Sequence, residues 1–480
     1  LERDGFGSGV ASLGDIDGDG VPDLAVSARG AGTQGVLWIL RMKRDFTVKA
    51  ESMVLASGEN CGDVAAVGDL DGDGRSELAL STDPYGLRAL DILFLNADGS
   101  LRLRQRTLPT DPFFVPPING DFADYFGEDL AALGDVDGDG LGDLAVGASG
   151  DDDGDGRDNG AIWILYLGRD GRPKSTKKIS MRFGGGEGLL DTNSLGRSFA
   201  SLGDLDGDGN LELGARMIEA YRIPQDRTAS ELQILFLDSN ENVRAVRRLG
   251  QQQFGFVGNG AGRNLDVSFA YGSFEALGDL EGDGTIEVAL GAPSWTWSVD
   301  THAEFTPFQG AVLIASLLPD GSVLRTRLIS GERGGFEHTF YDLSWFGSSC
   351  TLVPDIDGDG EPELLVGSPS DSDFANFAGS VWLLDLDTSA VRNGSGVNPL
   401  TRTQAAEPLV GRLWKTSLDC SAHAPGLAYV GLFERPHPGL LTPVGEALID
   451  NSLAPLYLHV LRHLGASTAQ SFKVDLAAHH

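Results

Sequence analysis

The nonapeptide Asp15 to Asp23, DIDGDGVPD, constrains this chain more than any other stretch, because near copies of it return five more times. They are Asp69 to Glu77 (DLDGDGRSE), Asp135 to Asp143 (DVDGDGLGD), Asp204 to Glu212 (DLDGDGNLE), Asp279 to Glu287 (DLEGDGTIE) and Asp355 to Glu363 (DIDGDGEPE). Their first acids are 54, 66, 69, 75 and 76 residues apart, so the chain is a tandem array and must be read unit by unit.

Each copy places carboxylates at positions one, three, five and nine. They are Asp15, Asp17, Asp19 and Asp23; Asp69, Asp71, Asp73 and Glu77; Asp135, Asp137, Asp139 and Asp143; Asp204, Asp206, Asp208 and Glu212; Asp279, Glu281, Asp283 and Glu287; and Asp355, Asp357, Asp359 and Glu363. A hard cation takes six to eight oxygen ligands, and acids at alternate positions of a tight loop point at one centre. The position-seven carbonyls of Val21, Arg75, Leu141, Asn210, Thr285 and Glu361 join them in this reading. The glycine at position six allows the sharp turn, and the acid at position nine is a bidentate ligand at the start of the next strand. A solvated acidic turn has the same residue types. Six copies with one spacing favour calcium, up to six ions per chain.

With 480 residues, 41% of them hydrophobic, the chain is globular. The six loops hold 24 of its 70 acids, and six divalent ions offset 12 of the formal net charge of -34, leaving about -22. A surface this acidic repels nucleic acid and anionic membranes. There is no apolar run of 18 residues to span a bilayer. The chain starts without Met or an apolar leader, as expected of a processed or trimmed start. Loops of this kind fill at millimolar calcium, which places the protein outside the cytoplasm.

Units one, three and six share a plan. Phe6-Gly7, Phe126-Gly127 and Phe346-Gly347 open an apolar strand before the loop, and the runs LAVSARG, LAVGASG and LLVGSP follow it. A glycine then leads into VLWIL, AIWIL or VWLL. Apolar residues at consecutive positions predict strands buried on both faces. In units two, four and five a polar turn leads to a fourth strand with alternating cations, LRLRQRTL, NVRAVRRL or VLRTRLI, expected as solvated charge on an exposed edge. The fold class is therefore all-β, a propeller of four-stranded blades, each unit covering the next.

The Phe-Gly opening, the Gly291-Ala292-Pro293 element and the D-x-D-x-D-G-x-x-D/E loop together resemble the FG-GAP repeat of integrin α-subunit propellers and of many secreted bacterial proteins. The resemblance covers residues 1–411 and implies a cation in the loop between the first and second strands of each blade. Glu281 departs from the family's Asp or Asn at position three, which bears on the affinity of that site. Integrin propellers have seven blades. Residues 412–480, with strands expected at Leu413 to Cys420, Gly426 to Phe433, Glu446 to Asn451 and Pro455 to Leu464, form either a degenerate seventh blade or a small separate β-domain.

Cys61 takes the slot of the repeat's Phe and is expected in the core. Cys350 and Cys420 lie on neighbouring first strands under the seven-blade reading, as a bonded pair or as two buried thiols. Asp151, Asp152, Asp153, Asp155 and Asp158 nearly repeat the cation loop, but the last acid comes one position early, so a solvated loop is expected. On the face opposite the cation loops, long connections carry Phe113, Phe114, Trp295, Trp297, Phe305 and Phe308, candidates to contact a protein or glycan ligand, or other copies of the chain. Plugging of the channel by these rings is the alternative. No nucleophile elbow, phosphate loop or zinc spacing is present, so no enzyme activity is expected. The function expected is that of a secreted, calcium-binding adhesion, interaction or structural module at a cell surface or in a matrix. The alternatives are a subunit of an extracellular assembly or filament, and a propeller-based carbohydrate-active enzyme.

Overall fold

The computed structural model describes residues 5–386 apart from 31–34, 56–58, 85–87, 115–123, 154–158, 187–188, 190–194, 219–229, 255–271, 281, 294–308, 331–343, 359 and 372–377. Beyond 386 it describes the backbone of isolated strands. The chain divides into two compact units, Leu1–Leu386 and Asp387–His480.

The first unit is a ring of six blades, each an antiparallel meander in chain order. Blade one comprises Phe6–Gly14, Asp23–Ala28, Val36–Met42 and Val48–Leu55, and blade two Glu59–Gly68, Glu77–Pro84, Ala89–Leu95 and Leu101–Thr107. Blade three comprises Phe126–Gly134, Asp143–Ala148, Ala161–Leu167 and Pro173–Ser180. Blade four follows with Phe199–Gly203, Glu212–Ile218, Ser230–Leu237 and Val243–Leu249, and blade five with Phe274–Gly278, Ile286–Gly291, Val312–Leu317 and Val323–Ile329. Blade six shows three strands among the described residues, Ser349–Val353, Glu363–Ser368 and Ser380–Asp385. In blade three the second and third strands are buried on both faces, as their unbroken apolar runs require: all of Asp143–Ala148 and Ala161–Leu167 is buried, while the third strands of blades one and six are partly exposed. Apolar side chains of adjacent blades interdigitate, as where Ile92 and Phe94 of blade two meet Leu144 and Trp163 of blade three.

The Phe-Gly motif joins blades. The N–H groups of Leu195, Phe346 and Phe6 donate to the carbonyls of Asn159, Gln309 and Ala378 at 3.3, 3.3 and 3.1 Å, linking blades three to four, five to six and six to one. Gly160, Gly310 and Gly379 sit against those residues with φ of 82°, 88° and 84°. A Cβ at any of the three would lie 2.1–2.2 Å from a backbone oxygen of the next blade. The contact between blades six and one is thus the one that joins the others, and the ring closes at six, which removes the seventh-blade alternative. Cys61, in the Phe slot of blade two, is buried in the core as expected.

In the second unit, Leu413–Asp419 pairs with both Arg402–Gln404 and Ala469–Asp475, and Gly426–Leu432 pairs with Tyr457–His463 around the hairpin Leu440–Thr442 and Gly445–Ala447. That order is not the meander of a blade. Cys350 is a buried free thiol whose Sγ lies 2.8 Å from Ser273 Oγ; Cys420 lies outside the described residues.

Two expectations are corrected. Phe114 is not on a binding face: it is 2% exposed and packs edge-on against Phe126 and Trp163, centroids 5.3 and 5.1 Å away. Phe113 is half-buried, its carbonyl accepting from Thr176 Oγ at 2.7 Å. Asp151 and Asp153 are not solvated either, because Lys178, buried from the outer strand, pairs with both at 2.7 and 2.6 Å. Trp295, Trp297, Phe305, Phe308, Asp155 and Asp158 lie outside the described residues. We expect Phe114→Ala to lower folding stability by about 3–5 kcal/mol, measured by denaturant unfolding; an unchanged midpoint would contradict the core position.

Candidate metal centres and the channel

The acid at position nine anchors each loop. Asp23, Glu77, Asp143, Glu212, Glu287 and Glu363 open their second strands and are no more than 3% exposed. In every blade one oxygen of this acid accepts the position-two N–H, from Ile16, Leu70, Val136, Leu205, Leu280 and Ile356, at 2.6–3.1 Å. Where position nine is Asp, the second oxygen is also taken, Asp23 Oδ1 by Met42 N–H at 2.9 Å and Asp143 Oδ1 by Leu167 N–H at 3.0 Å. The longer Glu leaves its second oxygen without a hydrogen bond in blades two and four, whereas Glu287 Oε1 in blade five accepts from Thr285 Oγ at 3.0 Å. Glu77 Oε1 and Glu212 Oε1 are buried with no hydrogen-bond partner, and so is Asp17 Oδ1 in blade one.

The first acid organises the turn. Asp69 accepts from the N–H groups of Gly72, Asp73 and Gly74 at 2.7, 3.0 and 2.8 Å, and Asp15 does the same with Gly18, Asp19 and Gly20. Gly20 and Gly74, at position six, have φ of 80° and 86°, the conformation for which glycine is needed. The position-seven residues Val21, Arg75, Leu141, Asn210 and Thr285 donate their N–H to the position-five carboxylate at 2.9–3.0 Å.

Carboxylate oxygens converge to within 4.8 Å of one another in five loops: Asp15, Asp17 and Asp19; Asp69, Asp71 and Glu77; Asp135, Asp137 and Asp143; Asp204, Asp206 and Asp208; and Asp355, Asp357 and Glu363. In blade five Glu281, and in blade six Asp359, lie outside the described residues; Asp279, Asp283 and Glu287 form no such group among the described residues. The donor set, all oxygen with orphaned buried acceptors, fits a hard divalent cation.

Charge is held at a cost in these loops. Burial, reinforced by the neighbouring loop acids, pushes Glu77, Glu212 and Glu363 from the ordinary 4.5 to about 7 and Asp23 from 3.8 to about 6. The sequence reading missed the nearest cations. Lys49, Arg102, Lys174 and Arg244 reach back from the outer strands onto the loop acids of their own blades, and Arg104 and Arg106 pair with buried Asp91 at 2.6 and 2.9 Å. The outer-strand cations are therefore not free edge charge. The four that reach the loops share one position, second in the strand, which is the signal that locates them.

A second acidic set lines the central channel, a cavity of about 1210 Å³ walled by the first strands. Asp63 accepts Leu130 N–H of the next blade at 2.9 Å, and Asp129 accepts Phe199 N–H at 2.6 Å. Glu275 accepts Thr351 Oγ–H at 3.1 Å. Burial raises Asp63 to about 6 and Glu275 to about 7, and raises Asp129 further because the Asp63 charge adds to it.

The fold and the loops define a six-bladed β-propeller with an acidic turn between the first and second strands of each blade. An FG-GAP-like repeat matches residues 15–80, and an FG-GAP repeat matches residues 126–165 and 346–384. The chain is 32% identical over 153 residues to integrin alpha-PS5 of Drosophila melanogaster, a match covering 30% of this chain and 15% of that protein. With integrin alpha pat-2 the identity is 28% over 222 residues for Caenorhabditis briggsae and 26% over 239 for Caenorhabditis elegans. These matches cover 42% and 45% of this chain and 17% and 18% of the relatives. The chain carries FG-GAP repeats and through them is homologous to integrin α-subunits, of whose length it spans less than a fifth.

The raised carboxylates fix the sign of a pH effect. In the unfolded chain they ionise near 3.8 (Asp23) and 4.5 (the three Glu), whereas in the ion-free fold they ionise near 6 to 7, so between those values the unfolded state sheds protons first and folding stability falls as pH rises. In chelator, the melting temperature is expected to be higher at about pH 5 than at about pH 7.5. A profile that rises with pH would contradict the loop electrostatics.

Proposed function

We infer that this chain is a calcium-loaded propeller that works outside the cell or at its surface as an adhesion or interaction module for a protein partner. The observation that carries the calcium reading is the pair of orphaned acceptors, Glu77 Oε1 and Glu212 Oε1, buried beside the other loop carboxylates. The homology to integrin α-subunits supports an extracellular interaction role. No helix among the described residues is long and apolar enough to cross a membrane. The reading takes Asp15, Asp69, Asp135, Asp204, Asp279 and Asp355 as first ligands of up to six ions, with positions three, five, seven and nine completing each shell.

The channel acids are what a hydrolytic reading would rest on. Three of them instead accept a hydrogen bond from the next blade, Asp63 from Leu130, Asp129 from Phe199 and Glu275 from Thr351, which makes them clamps between blades, and Glu128 is bonded by Ser149 of its own blade and lies 3.6 Å from Arg197.

A bound ion contributes RT ln(1 + [L]/Kd) per site, about 2.7 kcal/mol at 100 times Kd, which over several sites matches the roughly 5–15 kcal/mol stability of a domain. Millimolar calcium is therefore expected to raise the melting temperature and protease resistance well above their values in chelator, with magnesium a poor substitute because it requires a smaller octahedral cage. Superimposable melts, together with elemental analysis showing two or fewer calcium ions per chain, would overturn the reading.

A further inference from the structure

Four blades place a cation on the same two carboxylates. Lys49 Nζ lies 2.9 Å from Asp17 Oδ2 and 2.5 Å from Asp19 Oδ2. Arg102 Nη2 bonds Asp71 Oδ2 and lies 3.2 Å from Asp73 Oδ2. Lys174 Nζ lies 3.0 Å from Asp137 Oδ2 and bonds Asp139 Oδ2. Arg244 Nη2 lies 2.5 Å from Asp206 Oδ2 and 2.7 Å from Asp208 Oδ2. Each is the second residue of its outer strand, and each bridges positions three and five.

In blades two and four the oxygens they hold are the ones left for a metal, whereas in blade one Asp17 Oδ1 is unpartnered beside the Oδ2 that Lys49 holds. In blades two and four Oδ1 of both acids already accepts loop N–H groups: Asp71 from Asp73 at 3.2 Å, Asp73 from Arg75 at 3.0 Å, Asp206 from Asp208 at 3.2 Å and Asp208 from Asn210 at 2.9 Å. That leaves Oδ2 as the oxygen that takes no loop N–H. The side chain does not satisfy the whole loop, since Arg244 Nη2 stops 3.9 Å short of Glu212 Oε1, and Glu77 Oε1 stays unpartnered.

We propose that Lys49, Arg102, Lys174 and Arg244 are tethered counter-ions that hold the loop acids while no divalent cation is bound and must release positions three and five for one to enter, so that each outer strand sets the affinity of its own loop. The proposal rests on the calcium reading above. In blade two Arg75 Nη2 also bonds Asp73 Oδ2 at 2.6 Å, and in blade one Arg41 lies 4.0 Å from Asp17 Oδ2, so one or two positive charges ease the repulsion of four carboxylates without matching the coordination of a divalent ion. The side chains are 37–38% exposed, which lets them swing into solvent. Arg102 and Arg244 are also held over the Phe94 and Phe236 rings, each 5.6 Å from the centroid. The Arg loops should therefore yield to calcium less readily than the Lys loops. Blade five has Leu324 at this position, and its Arg325, one residue on, reaches only to 3.5 Å from Asp283 and 3.4 Å from Glu287.

The test is calcium titration of the full chain by calorimetry, with melts in chelator and in calcium. Arg102→Met and Arg244→Met, singly and together, are expected to tighten the weakest class of sites by about fivefold, the equivalent of the ~1 kcal/mol upper range of an exposed ion pair. The same variants are expected to melt lower than wild type in chelator but not in calcium. Arg169→Met removes a charge that acts on Asp69 through space without bridging positions three and five, so it is expected to leave affinity nearly unchanged. Unchanged or weakened binding in the Met variants, or an equal gain in Arg169→Met, overturns this proposal alone. A wild-type chain that takes up no calcium overturns it together with the reading it rests on.

Discussion

A carboxylate buried at the start of each second strand is the constraint on which the rest of this propeller depends. The strand is packed on both faces, so the acid at position nine leaves water as the blade forms, and a buried charge persists only with hydrogen bonds and opposite charge near it. One oxygen receives the position-two N–H in all six blades, which closes the loop into a ring of fixed size. The remaining acids are then drawn to within 4.8 Å in five loops. Two like charges about 4 Å apart repel by ~4 kcal/mol at the effective dielectric of a protein surface. The backbone geometry that closes the loop therefore concentrates the repulsion, and a cation at the centre turns the same arrangement into an attractive one.

The repeat was legible because both of its signals are local. Six acidic nonapeptides mark one corner of each blade, and the consecutive apolar runs mark the strands buried on both faces. The purpose of the Phe-Gly opening was not legible from one unit, since its partner glycine belongs to the preceding blade: Gly160 meets Leu195, Gly310 meets Phe346 and Gly379 meets Phe6. That last pair settles the number of blades. The sequence left six and seven open because residues 412–480 hold strands of suitable length, and strand length does not say which strands pair. Leu413–Asp419 pairs with Ala469–Asp475 across the stretch 420–468, which no short-range pattern records.

The errors in reading share one cause. Neighbouring residues in a loop point in different directions, and composition does not say which is buried. Phe113 and Phe114 looked alike as exposed aromatics, yet Phe114 enters the core between blades two and three while Phe113 lends its carbonyl to Thr176. Asp151 and Asp153 looked solvated because their partner Lys178 arrives from an outer strand a full hairpin later. The outer-strand cations follow the same rule in the open. Alternation correctly placed them on an edge, and the meander returns the start of the fourth strand to the face that carries the loop, but only the fold shows that the side chains are long enough to span the gap.

Acidic residues thus perform two tasks that composition cannot separate. In the loops, backbone N–H groups orient individual carboxylates around a common centre and leave some oxygens unmet, as at Glu77 and Glu212. In the channel, the innermost strands present N–H groups on their open edges, which would be left unpaired as on any edge strand. Asp63 and Asp129 accept such groups from the next blade, and burial favours their protonated forms, Asp129 the more because the Asp63 charge adds to it. The loop set thus offers converging oxygens that fit a divalent ion, and the channel set offers buried carboxyls that favour protonation. Raised carboxylates occur in both sets, so pH acts on loops and channel together, while among the described residues the loop set is the one whose carboxylate oxygens converge as a cation site requires.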